Sequence, residues 1–139
     1  MRVAIDARKL HDFGIGTYIR NLLKQLARLD QTTEYVLLTR ESDLPVASQL
    51  GPNFRSVLEP SPNYSLREQL HVPWVLMREK PDVFHAPHYI LPTGVRAHSV
   101  VTIHDCIHLM FPQYLPNRMA YTYARMAMWS AARRSDCIL

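Results

Sequence analysis

Apolar positions along this chain switch between a strand period and a helix period, and the switches outline alternating strands and helices. Residues 1–6 are a short, largely apolar, β-prone run, the pattern of a strand buried on both faces. A mostly polar stretch, residues 8–12, separates it from Gly14, Ile15 and Gly16. Beyond the glycines, Ile15, Tyr18, Ile19, Leu22, Leu23, Leu26 and Leu29 share one side of a helical wheel. Arg20, Asn21, Lys24, Gln25 and Arg28 take the other side, which predicts an amphipathic helix. Burying one such apolar side chain stabilises by roughly 1.5–3 kcal/mol, so docking this stripe on a sheet is a large favourable contribution. Residues 34–39 predict a second strand and residues 53–59 a weaker third. A strand, a helix of this length and another strand imply a parallel pair.

Downstream the pattern repeats. Ser65-Leu66-Arg67-Glu68 has the capping-box spacing, so a helix is expected from Leu66, kinked at Pro73 and stopped by Lys80-Pro81. Residues 82–85 enter the next strand. Residues 98–103 form the clearest buried strand and run straight into His104-Asp105. Asn117 is placed to cap a helix from Arg118 to Arg134, and Cys137, Ile138 and Leu139 look like the start of another buried strand. A chain stopping there is expected to be part of something longer.

The 139 residues make one domain, with 47% apolar and 20% charged residues, a composition that folds. No apolar run approaches the ~18 residues of a membrane span, and no apolar signal core follows Met1, so a cytoplasmic location is expected. The two cysteines, Cys106 and Cys137, lack the spacing of a disulfide framework or zinc ribbon and read as buried reduced thiols. The net charge of +4 is dispersed, and without an RNA-binding signature or zinc-finger spacing no nucleic-acid partner is expected.

In a parallel α/β sheet, ligands bind beyond the carboxyl ends of the strands. Three unusual segments fall there: 6–16, 85–92 and 104–112. The glycine segment departs from the dinucleotide fingerprint, because Ile19 holds the third glycine position, and the lysine of a nucleotide P-loop is missing. Gly14 and Gly16 at a helix start either shape a turn or let a phosphate approach free amides. His85, His88, His104 and His108 have spacings that bring ligands together only on a helix, so no metal site is expected. His104, leaving a buried strand for the crevice, is either a hydrogen-bond donor to sugar or phosphate oxygen or a structural histidine. His11 and His71 have no such context.

With these residues in view, the chain resembles the N-terminal domain of family 4 glycosyltransferases, which pair two facing Rossmann-like domains in the GT-B architecture. The resemblance rests on Met-Arg-Val-Ala-Ile-Asp-Ala-Arg, Gly-Ile-Gly-Thr-Tyr, Pro-Asp-Val-Phe-His-Ala-Pro-His-Tyr, Val-Val-Thr-Ile-His-Asp and a later Phe-Pro, in the family's order. It implies an α/β fold with a Rossmann-like parallel sheet and helices on both faces. Residues 1–139 would be the acceptor-side domain, and the donor-binding C-terminal domain would lie outside this chain. It further implies sugar transfer from a nucleotide-sugar donor to an acceptor hydroxyl with retained configuration, the donor being a substrate and no cofactor being required. Gly14 and Gly16 would approach the donor diphosphate, and His104 would contact the transferred sugar as the catalytic residue. Asp6, Tyr89 and Asp105 are expected to contact acceptor or sugar on the strength of their place in the crevice alone. The isolated domain is expected to be inactive. Apart from the resemblance, the residues leave open a stand-alone α/β module that binds a phosphorylated small molecule, or a basic module for membrane or nucleic acid. The helix from Arg118, mixing Met, Tyr and Trp with arginines, suits either peripheral membrane association or packing on the sheet.

Overall fold

The structure, a computed structural model, describes residues 1–62 and 65–139. Six parallel strands, β1 (Arg2–Asp6), β2 (Glu34–Thr39), β3 (Phe54–Leu58), β4 (Val83–Ala86), β5 (His98–Val101) and β6 (Cys137–Ile138), form one sheet in the order β3-β2-β1-β4-β5-β6. The chain winds outward from β1 in one direction through β2 and β3. It then crosses back to β4 and continues the other way, which is the doubly wound Rossmann-like order. The strand order reverses between β1 and β4, so the carboxyl ends of these two strands flank a crevice.

Helices cover both faces, as the two-sided strands require. α1 (Ile15–Leu29) and α2 (Val46–Leu50) lie on one face, where Ile19, Leu23 and Ala47 pack with Ile5, Tyr35 and Leu37. On the other, α3 (Leu66–Glu79) and α5 (Arg118–Arg134) bring Val72, Val75, Leu76 and Ala131 against Ala4, Val36, Leu38 and Phe84. Val36 and Leu38 point one way and Tyr35 and Leu37 the other, the period-2 alternation of a strand with two buried faces. A short α4 (Ile107–Met110) follows β5.

The helix ends follow the local chemistry. Ser65 Oγ accepts the Glu68 amide at 3.1 Å and Asn117 Oδ1 accepts the Ala120 amide at 2.8 Å. Lys80 ends α3 in the left-handed conformation at φ 48°, and Pro73 lies inside that helix. Two expectations change. Cys106 and Cys137 are free but exposed rather than buried. The reason is position: Cys106 precedes α4 in a surface loop, and β6 is an edge strand hydrogen-bonded on one side only. For the same reason Ile138 and Leu139, read as buried, are 46% and 59% exposed.

Candidate functional site

The crevice beyond the carboxyl ends of β1, β4 and β5 holds a cavity of about 430 Å³. Each of the three segments singled out in the sequence supplies part of its wall: Phe13, Gly14 and Ile15; His88 and Tyr89; and His104, Asp105, Ile107 and His108. Of the expected site residues, Gly14, Tyr89, His104 and Asp105 therefore meet. Asp6 and Gly16 do not line this cavity.

His104 is held from two sides. Its Nε2 lies 3.0 Å from the Pro87 carbonyl oxygen, and because a carbonyl only accepts, Nε2 carries the hydrogen. Tyr18 presents an edge-to-face ring contact at 5.0 Å between centroids. The Tyr18 hydroxyl is 3.3 Å from Thr102 Oγ1, which also meets His85 Nε2 at 2.8 Å. A polar chain thus ties α1, β4 and the residue after β5 together beneath the crevice. Burial, with smaller contributions from His88 and His104, pushes the His85 imidazole down to about 4, so it is neutral at pH 7. On the opposite wall the Tyr89 hydroxyl and His108 Nδ1 are 3.3 Å apart, and Asp105 Oδ1 accepts the Ile107 amide at 3.0 Å.

The two glycines have different reasons to be glycine. Gly14 sits at φ 76° and ψ −70° as the centre of a γ-turn closed by the Ile15 amide on the Phe13 carbonyl at 2.9 Å. A side chain would strain that backbone, yet the space beside it is open. Gly16 is buried, and a Cβ there would stand 2.4 Å from the Leu10 carbonyl oxygen. Gly16 is therefore required by the packing of α1 on the turn after β1. Its amide is already given to the Asp12 carbonyl at 2.8 Å.

Asp6 lies below the cavity in a buried ion cluster. Arg8 Nη2 reaches Asp6 Oδ2 at 2.6 Å and Glu68 Oε1 at 2.5 Å, with all three side chains at most 3% exposed. Burial would raise the Asp6 carboxyl, but the Arg8 charge and hydrogen bonds, helped by His88, hold it far below the carboxylate range. The Ile90 amide donates to His88 Nδ1 at 3.1 Å, which leaves the neutral ring's hydrogen on Nε2. That nitrogen is 3.5 Å from Asp6 Oδ2, a long contact that acts as charge–dipole attraction more than as a hydrogen bond. One ligand atom each from Asp6, Glu68 and His88 lies within 4.8 Å of the others, a spacing compatible with a metal ion. The Arg8 guanidinium, however, supplies the positive charge between the two carboxylates. Sequence reading missed this cluster, because Arg8 looked like part of a polar loop and Glu68 like a helix cap. The Asp-x-Arg spacing at the end of a buried strand is the one signal that was there to find.

The other three histidines lie away from the cavity, each beside a carboxylate: His71 Nδ1 meets the fully buried Glu59 at 2.6 Å, His11 Nε2 meets Asp43 at 2.7 Å and His98 Nδ1 lies 3.4 Å from Asp136. No helix among the described residues is long and apolar enough to cross a membrane.

A comparison with protein families matches residues 14–139 to the model described as Glycosyltransferase Family 4. Neither the curated proteins nor the solved structures give a match. The family match spans most of the chain, from the central glycine of the γ-turn through both histidine-bearing loops to the edge strand β6. The chain is a glycosyltransferase domain and belongs to glycosyltransferase family 4.

Proposed function

We propose that this domain is the acceptor-side half of a retaining glycosyltransferase of GT-B architecture, which transfers a sugar from a nucleotide-sugar donor to an acceptor hydroxyl. The observation that carries the reading is the cavity at the β1/β4 reversal, walled by the γ-turn loop and by a histidine whose tautomer and tilt are both fixed. In neutral His104, Nδ1 is a hydrogen-bond acceptor, so it suits a hydroxyl of the transferred sugar; once protonated, it donates to an oxygen that gains negative charge. Tyr89, Asp105 and His108 add polar groups for sugar or acceptor hydroxyls, and the exposed Phe13 ring at the rim suits the apolar face of a pyranose. Gly14 leaves the start of α1 open to a diphosphate, which the positive end of the helix dipole favours. Asp6 serves from beneath, by keeping the β1 end and His88 in place.

The leaving diphosphate needs positive charge beside it, and in this reading a second, donor-binding domain closes over the cavity and supplies it. The domain alone is accordingly inactive, and turnover of a nucleotide sugar by the purified chain would refute that division of labour. In the two-domain enzyme, His104→Ala removes a preorganised contact worth about 2.7–4 kcal/mol. The expected result is a kcat lower by roughly two to three orders of magnitude, with the thermal midpoint unchanged because His104 is exposed. Transfer at the parental rate, or a domain that fails to fold, assigns His104 to a structural role.

A further inference from the structure

Helix α5 is apolar on two opposite faces. Ala124, Met128 and Ala131 are buried, and Ala131 belongs to the core under the sheet. Roughly half a turn away, at about 100° per residue, Met119, Tyr123, Met126 and Trp129 are 82%, 40%, 64% and 61% exposed. A helix docked on a sheet ordinarily turns charged residues to water. Here the outward stripe is methionine and aromatic, and it continues beyond the helix. Phe111, after α4, is 42% exposed, and an open groove of about 710 Å³ between α4 and α5 is walled in part by Leu109, Met126 and Trp129.

The charge around the stripe has one sign. Residues 106–135 contain no Asp or Glu, yet α5 carries Arg118, Arg125, Arg133 and Arg134, all exposed. The Arg133 guanidinium lies 5.0 Å from the Trp129 ring centroid, which places a cation beside the tryptophan of the stripe. An apolar protein surface would satisfy the stripe and leave the guanidinium groups unmatched. A layer of anionic headgroups over acyl chains satisfies both: methionine and tryptophan enter the acyl boundary, and the arginines stay among the phosphates. We propose that the outward face of α5, with the groove beside α4, is a docking surface for an anionic lipid bilayer. The inference is independent of the glycosyl-transfer reading, and neither donor nor acceptor enters its test.

The chain with Trp74→Phe keeps Trp129 as its one tryptophan and is mixed with vesicles of phosphatidylcholine alone or with about one-third phosphatidylglycerol, a composition with a strong negative surface potential. Flotation is expected with the anionic vesicles and not the neutral ones, together with a blue shift of Trp129 emission. Arg118→Gln and Arg125→Gln should each weaken partitioning about fivefold. Met126→Glu should abolish it while leaving the thermal midpoint unchanged, since Met126 is exposed. Protein left wholly in the soluble fraction, or equal binding to neutral vesicles, overturns the proposal. So does a dimer that Met126→Glu dissolves without any vesicle binding, because the face then belongs to a second copy of the chain.

Discussion

Replacing Arg8 by methionine keeps most of the side-chain length and removes the guanidinium that joins two buried carboxylates. The parent ties Arg8 Nη2 to Asp6 at 2.6 Å and to Glu68 at 2.5 Å, and neither carboxylate has more than 3% of its side chain in water. Breaking a buried ion pair from one side costs about 3–5 kcal/mol, because the abandoned charge keeps its desolvation penalty. For a domain of this size that is a fall in Tm of roughly 10–20 °C. The pH dependence separates this cause from simple loss of packing. In the parent, the Asp6 carboxyl is held low, so its stabilising contribution is present above about pH 4 and fades as pH falls further. In the variant, burial acts on Asp6 without the guanidinium, so its carboxyl titrates above the ordinary range and the native state takes up a proton the unfolded chain does not. The deficit should therefore shrink as pH falls from about 7 towards 5. Urea unfolding followed by circular dichroism at both pH values measures it. A loss under about 1 kcal/mol at pH 7, or a deficit that grows on acidification, refutes the reasoning.

Two further outcomes test the neighbouring structure. Gly16→Ala should destabilise the domain by at least about 1–3 kcal/mol in the same assay, because the new methyl meets the Leu10 carbonyl, which is backbone and cannot swing away; a neutral result would mean α1 shifts freely on the β1 turn. His85 is held below its unfolded value, so the unfolded chain binds more protons and stability should fall as pH drops from about 6.5 towards 4, by up to roughly 3 kcal/mol. His85→Gln, which retains a partner for Thr102, should flatten that slope, and an unchanged slope would assign the loss to another group.

Much of the sheet was legible because parallel strands covered on two faces read as unbroken apolar runs, and α1 shows an uninterrupted stripe. α2 and α4 were not, since five and four residues give too little periodicity to register. The crevice was legible at the level of segments, through the rule that ligands gather beyond strand ends. Individual roles were less so. Gly14 and Gly16 look equivalent in sequence, and only the Leu10 carbonyl beside Gly16 separates them. Asp6 looked like a crevice contact because the other carboxylate that holds its partner Arg8, Glu68, is distant along the chain. Exposure of Cys106 and Cys137 was misread because apolar neighbours signal a strand or helix and say nothing about whether it lies at a sheet edge.

The Arg8 cluster also bears on the order in which the chain acquires its structure. Asp6 is two residues from Arg8, whereas Glu68 is sixty away. The nearby carboxylate is available as soon as β1 and the following turn form, so the guanidinium is not left bare while its surroundings dry out. Glu68 arrives only when α3 docks, and β2 and β3 lie between the two in the chain. Closing so long a loop costs chain entropy before any contact returns it. The second carboxylate therefore joins a charge that is already half neutralised, and the arrival of α3 is coupled through Arg8 to the strand end on which the ligand crevice is built.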